Sequence, residues 1–345
     1  MILIFEKIML IKEIGEFNLI KRMSAVLGAP RRSVIAGIGD DAAVLRPPEG
    51  KLLLVTTDML VENVHFSLAT ATAFQIGWKS LAANISDVAA MGGEPTYAFV
   101  SIGFPRDTTA EFVDELYSGM SEIAEEYSVD IVGGDTVSSP EVIINVSLLG
   151  EVEEKNCVLR SGAKPGDAIC VTGDVGGSSA GLEILQRGLS IKGTEKHLMP
   201  KPRVREGRLL ARSSYVTSMI DVSDGVASEI HHVCEQSKTG AHILMKDIPL
   251  SSNILPVAKL INKNPYDFAL SGGEDYELLF TCYADRFQFL QKQVFRTCGT
   301  HITRIGNILY DSASITIEDE YGKTTSLESK GYDHFASSKS NDYNE

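Results

Sequence analysis

The chain has 345 residues, 43% hydrophobic and 23% charged, a globular composition longer than the ~100–200 residues of one domain, so two domains are expected. A formal net charge of −14 argues against a nucleic-acid partner, whose phosphates need clusters of Lys and Arg, and no stretch of ~18 apolar residues offers a membrane span. The five cysteines, Cys157, Cys170, Cys234, Cys282 and Cys298, form no C-x-x-C pair; their odd number and irregular spacing point to a reducing, cytoplasmic setting instead of a disulfide framework or a zinc site.

The opening MILIFEKIMLIKEIGEFNLI is broken by Glu6, Lys7, Lys12 and Glu13 and lacks a small-residue cleavage site, so it does not read as a signal peptide; Met1 and Met9 are both candidate starts. Residues 13–27 have helical spacing. GIGDDAAVL then places Asp40 and Asp41 in a glycine turn. Residues 51–55 read as a short buried strand, with Asp58 at its carboxyl end in LLLVTTDML. Thr72-Ala-Phe-Gln75 is a capping box opening a helix with the apolar stripe Phe74, Trp78, Leu81, Ile85 and Val88. Ser80, Asn84 and Asp87 stack on another face of that helix, which ends at Gly92–Gly93. A strand is expected over 96–103. Thr108-Thr-Ala-Glu111 reads as a second capping box, before a helix carrying Phe112, Leu116, Ile123 and Tyr127. Strands follow over 129–132, ending in the acidic loop at Asp135, and over 141–149.

A domain boundary is expected within residues 151–167, EVEEKNCVLRSGAKPGD, dividing the chain into 1–152 and 153–336, with 337–345 as a disordered polar tail. Beyond it the mixed α and β grammar resumes. Residues 169–172 form a strand running into GDVGGSSAG, a glycine-rich loop that opens a helix. Met219–Ile220 ends a strand at Asp221, and the next helix has Val226, Ile230 and Val233 on one face. Segments 268–270, 276–281, 302–305 and 315–317 read as later strands. The fold class is α/β (α+β mixed), with carboxylates recurring at strand ends and helix starts in both halves, as for a site between two domains.

Asp40, Asp41, Asp58, Asp87, Asp135, Asp221 and Asp224 are seven carboxylates in breaks rich in Gly, Ser or Thr, mostly without a basic residue nearby in sequence. Two unit charges ~4 Å apart repel by about 1 kcal/mol in water and about 4 kcal/mol at an effective dielectric of 20, so a fold that gathered them would need a cation. Oxygen ligands suit Mg2+, which keeps waters and binds alongside substrate phosphates. Metal-assisted phosphoryl transfer is therefore the first expectation. Each motif alone also has a plainer reading: a Gly-Asp turn for GIGDD, N-caps for TTD and DVSDG, a structural histidine for His65, a solvated linker for Arg160 and Lys164, a hairpin for SGGEDYELLF. The glycine turns IVGGDT and GDVGGSSAG could bring backbone N–H groups to phosphate, but neither is a Walker-type loop. No G-x-S-x-G and no cysteine in an activating motif is present.

In combination and in this order, GIGDDAAVL, TTDMLVENVHF, LAANISDVAAMGGEP, IVGGDT, RSGAKPGD, MIDVSDG, SGGEDYEL and KGYDHF resemble the thiamine-monophosphate kinase family, in the superfamily of aminoimidazole ribonucleotide synthetase, from about Gly15 to Phe335. The resemblance implies ATP-dependent conversion of thiamine monophosphate to thiamine diphosphate, two α/β domains, an N-terminal sheet in a homodimer interface, and ATP in a cleft between the domains. It implies several Mg2+ ions on Asp41, Thr56, Thr57, Asp58, Asp87, Asp135, Asp221 and Asp224. It places ATP against Tyr117, Gly134, Asp135, Arg160 and Ser223, and the acceptor against His65, Glu274 and Tyr332, with no residue acting as acid, base or nucleophile. The rivals are another enzyme of the same superfamily and a non-catalytic nucleotide- or metal-binding protein. The cysteine-dependent members of the superfamily are disfavoured, because no cysteine precedes Cys157 and the tail SSKSNDYNE has none.

Overall fold

A computed structural model describes residues 10, 13, 16–27, 34–36, 44–45, 49–312 and 314–329. Asp40, Asp41 and Tyr332 lie outside the described residues. In chain order the first half contains α1 (Glu16–Leu27), β1 (Val34–Ala36), β2 (Val44–Leu45), β3 (Lys51–Val61), α2 (Ala73–Ala90), β4 (Glu94–Phe104), α3 (Ala110–Tyr127), β5 (Asp130–Ser138) and β6 (Ile143–Glu153). The second half contains β7 (Ala168–Thr172), α4 (Gly177–Arg187), α5 (Glu195–Leu198), α6 (Val204–Arg212), β8 (Val216–Asp221), α7 (Val226–Ser237), β9 (Gly240–Leu244), α8 (Ile254–Ile261), α9 (Pro265–Leu270), β10 (Leu278–Cys282), α10 (Phe287–Cys298), β11 (Ile302–Leu309), β12 (Ile315–Glu318) and β13 (Thr324–Ser326). The mixed α and β class is as expected.

β3, β6, β4 and β5 form a four-stranded sheet in that order, antiparallel except for the parallel β4–β5 pair. Side chains alternate between its faces. Leu54, Leu60, Val100, Ile102, Phe104, Ile144, Val146 and Leu148 face inward and form one core with α2 and α3. The expected buried strand is in fact an edge strand with one covered face. Leu53, Val55 and Met59 on the other face are 54%, 68% and 52% exposed.

The capping box at Thr72 forms as read: its hydroxyl accepts the Gln75 N–H and the Gln75 side chain accepts the Thr72 N–H. The next helix starts one residue later than expected. Thr109 is its N-cap, accepting from the Phe112 N–H, so Thr108 and Glu111 make no box. The second sheet has the order β13-β12-β9-β11-β7-β10-β8 and is antiparallel except for β9–β12. Residues 268–270 lie in α9 and not in a strand. Asn264 caps that helix through the Tyr266 N–H, and Pro265 takes the first turn, where a missing N–H costs nothing. Three apolar residues carry no period of their own, so the start signal decides.

α2 joins the halves. It is buried nearly all round: Trp78, Leu81, Ile85 and Val88 enter the first core, while Ser80, Asn84 and Ser86 are also fully buried. The polar side of the helix thus faces the second sheet instead of solvent, and the Ser86 hydroxyl donates to Asp221 Oδ2 at 2.7 Å.

Candidate functional site between the two sheets

Three segments deliver carboxylates to this seam. Asp58 lies within β3, not beyond its end, and shares the inward face with Thr56. Thr56 Oγ1 donates to Asp87 on α2. Asp221 ends β8 with 2% exposure. Burial and the Asp87 charge push the Asp58 carboxyl up to about 6. Burial raises Asp87 too, against the Thr56 hydrogen bond and Arg160. Asp221 is held well above the carboxylate range by burial and Asp87, with Ser86 and Arg160 opposing. Asp58 and Asp221 are each repelled by Asp87, and Arg160, from the segment between the halves, acts against the rise of Asp87 and Asp221.

The DVSDG and GGEDYE segments run side by side. The Val222 N–H donates to the Glu277 carbonyl at 2.7 Å, the Tyr276 N–H to the Val222 carbonyl at 3.0 Å, and the Glu274 N–H to the Ser223 carbonyl at 2.8 Å. That contact needs Gly273, where a Cβ would meet the Ser223 carbonyl oxygen. Glu229 of α7, 1% exposed, accepts the Asp224 N–H at 3.0 Å and sits 3.4 Å from Ser223 Oγ. Burial pushes its carboxyl up to about 7, against the Asp224 N–H. Tyr276 is buried beside Glu274, Asp58, Asp221 and Asp87; burial and these charges hold its phenol neutral.

Two backbone donors of the glycine-rich loop before α4 are taken by the chain itself and not left for phosphate. The Gly176 N–H and the Ser178 N–H, the latter at 3.0 Å, both donate to Asp275, a carboxylate of the chain itself.

Around His65, the Val61 N–H donates to His65 Nδ1 at 3.0 Å, which leaves the ring proton on Nε2. Lys79 of α2, 3% exposed, donates to Glu274 Oε2 at 2.7 Å and to the His65 carbonyl at 3.3 Å. His197 Nδ1 lies 3.1 Å from Ser178 Oγ and 3.3 Å from Glu274 Oε2. Burial and the neighbouring Lys79 push His197 down to about 4, against the pull of Glu274. A small cleft opens here, lined by Phe66, Ser67, Thr70, Gln75, Lys79 and His197.

Other expected residues lie elsewhere. Asp58, Val146, Val100 and Gly134 form one row across the sheet, so Gly134 and Asp135 occupy the edge opposite Asp58, three strand spacings or about 14 Å away. Thr57 points to the outer face, bonded to Asn145 and Ser147. Tyr117 is 4% exposed within the first core. Among the described residues no three His, Cys, Asp or Glu side chains are gathered closely enough to hold a metal ion unaided. The sequence reading missed Lys79, His197, Tyr276 and Glu229. Tyr276 lies in the motif SGGEDYELLF, whereas Lys79 is one cation in an otherwise apolar stretch and carries no local signal.

Residues 39–152 match the family AIR synthase related protein, N-terminal domain, and residues 164–309 match its C-terminal domain. Thiamine-monophosphate kinase of Bacillus subtilis (strain 168) is 38% identical over 312 residues, 88% of this chain and 94% of that protein. The crystal structure of thiamine-monophosphate kinase from Stenotrophomonas maltophilia K279a superposes with a TM-score of 0.79 at 31% identity, covering 90% of this chain and 98% of the other. A structure described as AaThiL complexed with AMPPCP and TMP superposes with a TM-score of 0.73 at 33% identity, covering 94% and 98%. Similarity of this extent, through both halves and on the same fold, establishes that the chain belongs to the thiamine-monophosphate kinase family of AIR synthase related proteins.

Proposed function

We propose that this chain transfers the γ-phosphoryl group of ATP to the phosphate of thiamine monophosphate, giving thiamine diphosphate and ADP, the final step in making that coenzyme. The carrying observation is that Asp58, Asp87 and Asp221 are brought to one seam between two sheets, Asp87 bonded to Thr56 of β3 and Asp221 to Ser86 of α2, with Arg160 acting on Asp87 and Asp221. The relatives' names and the AaThiL complex with AMPPCP and TMP support the substrates.

An ionised oxygen of the acceptor phosphate attacks the γ-phosphorus, the bond to the bridging oxygen of ADP breaks, and no proton need move. That accounts for a site without a general base or nucleophile: positioning and charge neutralisation suffice. Thr56 orients Asp87, Ser86 orients Asp221, and Glu229 holds the backbone that carries Ser223 and Asp224. The His65 Nε2–H is a donor for the acceptor, and Glu274 an acceptor of its hydrogen bonds.

The donor set fits Mg2+: hard carboxylate and hydroxyl oxygens whose burial and mutual repulsion oppose ionisation until a cation compensates. Asp58, Asp87, Asp221 and Asp224, with Thr56, would hold the ions, and phosphate and water would complete the ligand shells. Bound Mg2+ supplies charge neutralisation between the two phosphates. Asp41, Thr57, Asp135, Gly134, Tyr117 and Tyr332 remain part of the proposal on the family resemblance. So do the division of labour between 1–152 (metal, acceptor and dimerisation) and 153–336 (ATP) and the cytoplasmic location. The location is supported by five unpaired cysteines, three of them buried. Among the described residues no helix is long and apolar enough to cross a membrane.

A homodimer is supported by the uncovered apolar face of the first sheet. Gly134 and Asp135 stand on the edge opposite Asp58, so a site using both edges would take one of them from a second copy.

The test is product analysis with ATP, Mg2+ and thiamine monophosphate, with a metal-free control and with thiamine as a parallel substrate. Thiamine diphosphate formed only from the monophosphate and only with metal is the expected result. ADP without thiamine diphosphate moves the acceptor elsewhere, and no turnover at all overturns the reading.

A further inference from the structure

Lys79 is an expensive residue where it stands. It sits mid-helix with 3% exposure, and an ammonium taken out of water costs several kcal/mol unless geometry compensates. A methionine would fill the same slot without that cost. Its two hydrogen-bond partners are the Glu274 carboxylate, at 2.7 Å, and the His65 carbonyl, at 3.3 Å. These belong to the two residues read as acceptor contacts, one from each half of the chain.

Glu274 needs such a tie. Its φ is +66°, and Tyr276 two residues on has φ +51°, both left-handed positions that cost a residue with a Cβ about 1–2 kcal/mol. Lys79 and His197 both address Oε2, and 27% of the Glu274 side chain remains accessible. His197 is neutral near pH 7, so Lys79 carries the charge that compensates Glu274. Lys196, next along, is directed to Asp174 and Glu277 instead.

We propose that Lys79 is a positioning residue for the acceptor: its ammonium ties the Glu274 carboxylate to the His65 backbone, so that acceptor-facing groups from both halves hold one geometry before thiamine monophosphate enters. The inference rests on the reading of His65 and Glu274 given above. It makes Lys79 selective between substrates, because the contacts it holds are on the acceptor and not on the nucleotide.

The test is steady-state kinetics of Lys79→Met, Glu274→Gln and the double variant, varying each substrate at saturation of the other, with a thermal melt of each protein. Lys79→Met is expected to raise KM for thiamine monophosphate about tenfold or more, with KM for ATP within about twofold, since a charge-assisted hydrogen bond is lost on one side only. Glu274→Gln should show the same split. The double variant should be no worse than the poorer single, because both remove one pair. If the methionine variant does not fold, Lys79→Gln, which keeps a donor in the slot, should show a smaller rise of the same kind. Unchanged KM for the acceptor, equal rises for both substrates, or additive losses in the double variant overturn the inference while wild-type turnover leaves the kinase reading standing. A wild-type protein that makes no thiamine diphosphate removes the kinase reading and the inference with it.

Discussion

Asp58 is raised to about 6 because it is buried beside Asp87, so at neutral pH its charge works against the fold. The folded value lies above the unfolded one. The stabilising contribution is therefore complete below about pH 4 and is lost as pH rises through 6. Asp58→Asn removes that loss, and its melting temperature at pH 8 is expected to equal or exceed the wild type's, while kcat falls about a hundredfold or more. A variant that unfolds, or that keeps its activity at saturating Mg2+, would count against the assigned role. Asp275 shows the same sign on a group outside the proposed metal set. Burial raises it to about 7 against the N–H groups of Ser178 and Gly176. The advantage of wild type over Asp275→Asn should shrink by about 2 kcal/mol between pH 5 and 7.5, measured by urea unfolding at both pH values. A gap that is constant or widens would place the titration elsewhere.

Between elements, α2 and α3 approach closely because glycine stands at the crossing on each. A Cβ at Gly77 would run into the Leu116 carbonyl, and one at Gly119 into the Phe74 carbonyl. Neither position has φ in the left-handed region, so the requirement is room and not conformation. Gly119→Ala is expected to cost about 1–3 kcal/mol by overpacking, and, since α2 carries both Lys79 and Asp87, to lower activity as well. Equilibrium unfolding with a parallel assay reads both effects; a stable, fully active Gly119→Ala would show that the helix pair shifts freely. Local signals made these elements legible. The Thr72 box, the apolar stripe from Trp78 to Val88 and the glycines after it set α2 to within a residue or two, because caps and periodicity act within a few residues. Segment 268–270 reads as a strand by itself because so short an apolar run is ambiguous without its neighbours, and the Asn264 cap makes it helix.

For the whole molecule, the outer face of the first sheet is the unresolved surface of the fold. Leu53, Val55 and Met59 on β3 and Val137 on β5 are each more than half exposed. A sheet normally covers its apolar faces, and nothing in this chain covers this one among the described residues. Light scattering after size exclusion should give twice the chain mass, and the pair Leu53→Asp with Val55→Asp should halve it. A wild-type monomer at micromolar concentration would remove the dimer from the proposal.

The order of motifs, the capped helices, the mixed fold class and the acidic character of the site could all be read along the chain, because each depends on residues close in sequence or on composition. Which carboxylates meet could not. Asp58, Asp87 and Asp221 converge because the inner face of β3, the polar side of α2 and the end of β8 share one seam, whereas Asp135 stands across the sheet on its far edge. Nor does anything local mark Asp275 as the occupant of the α4 N-terminus, or Lys79 as the partner of Glu274. Those contacts span 97 and 195 residues of chain, and their energy depends on burial that only the packed sheets and helices create.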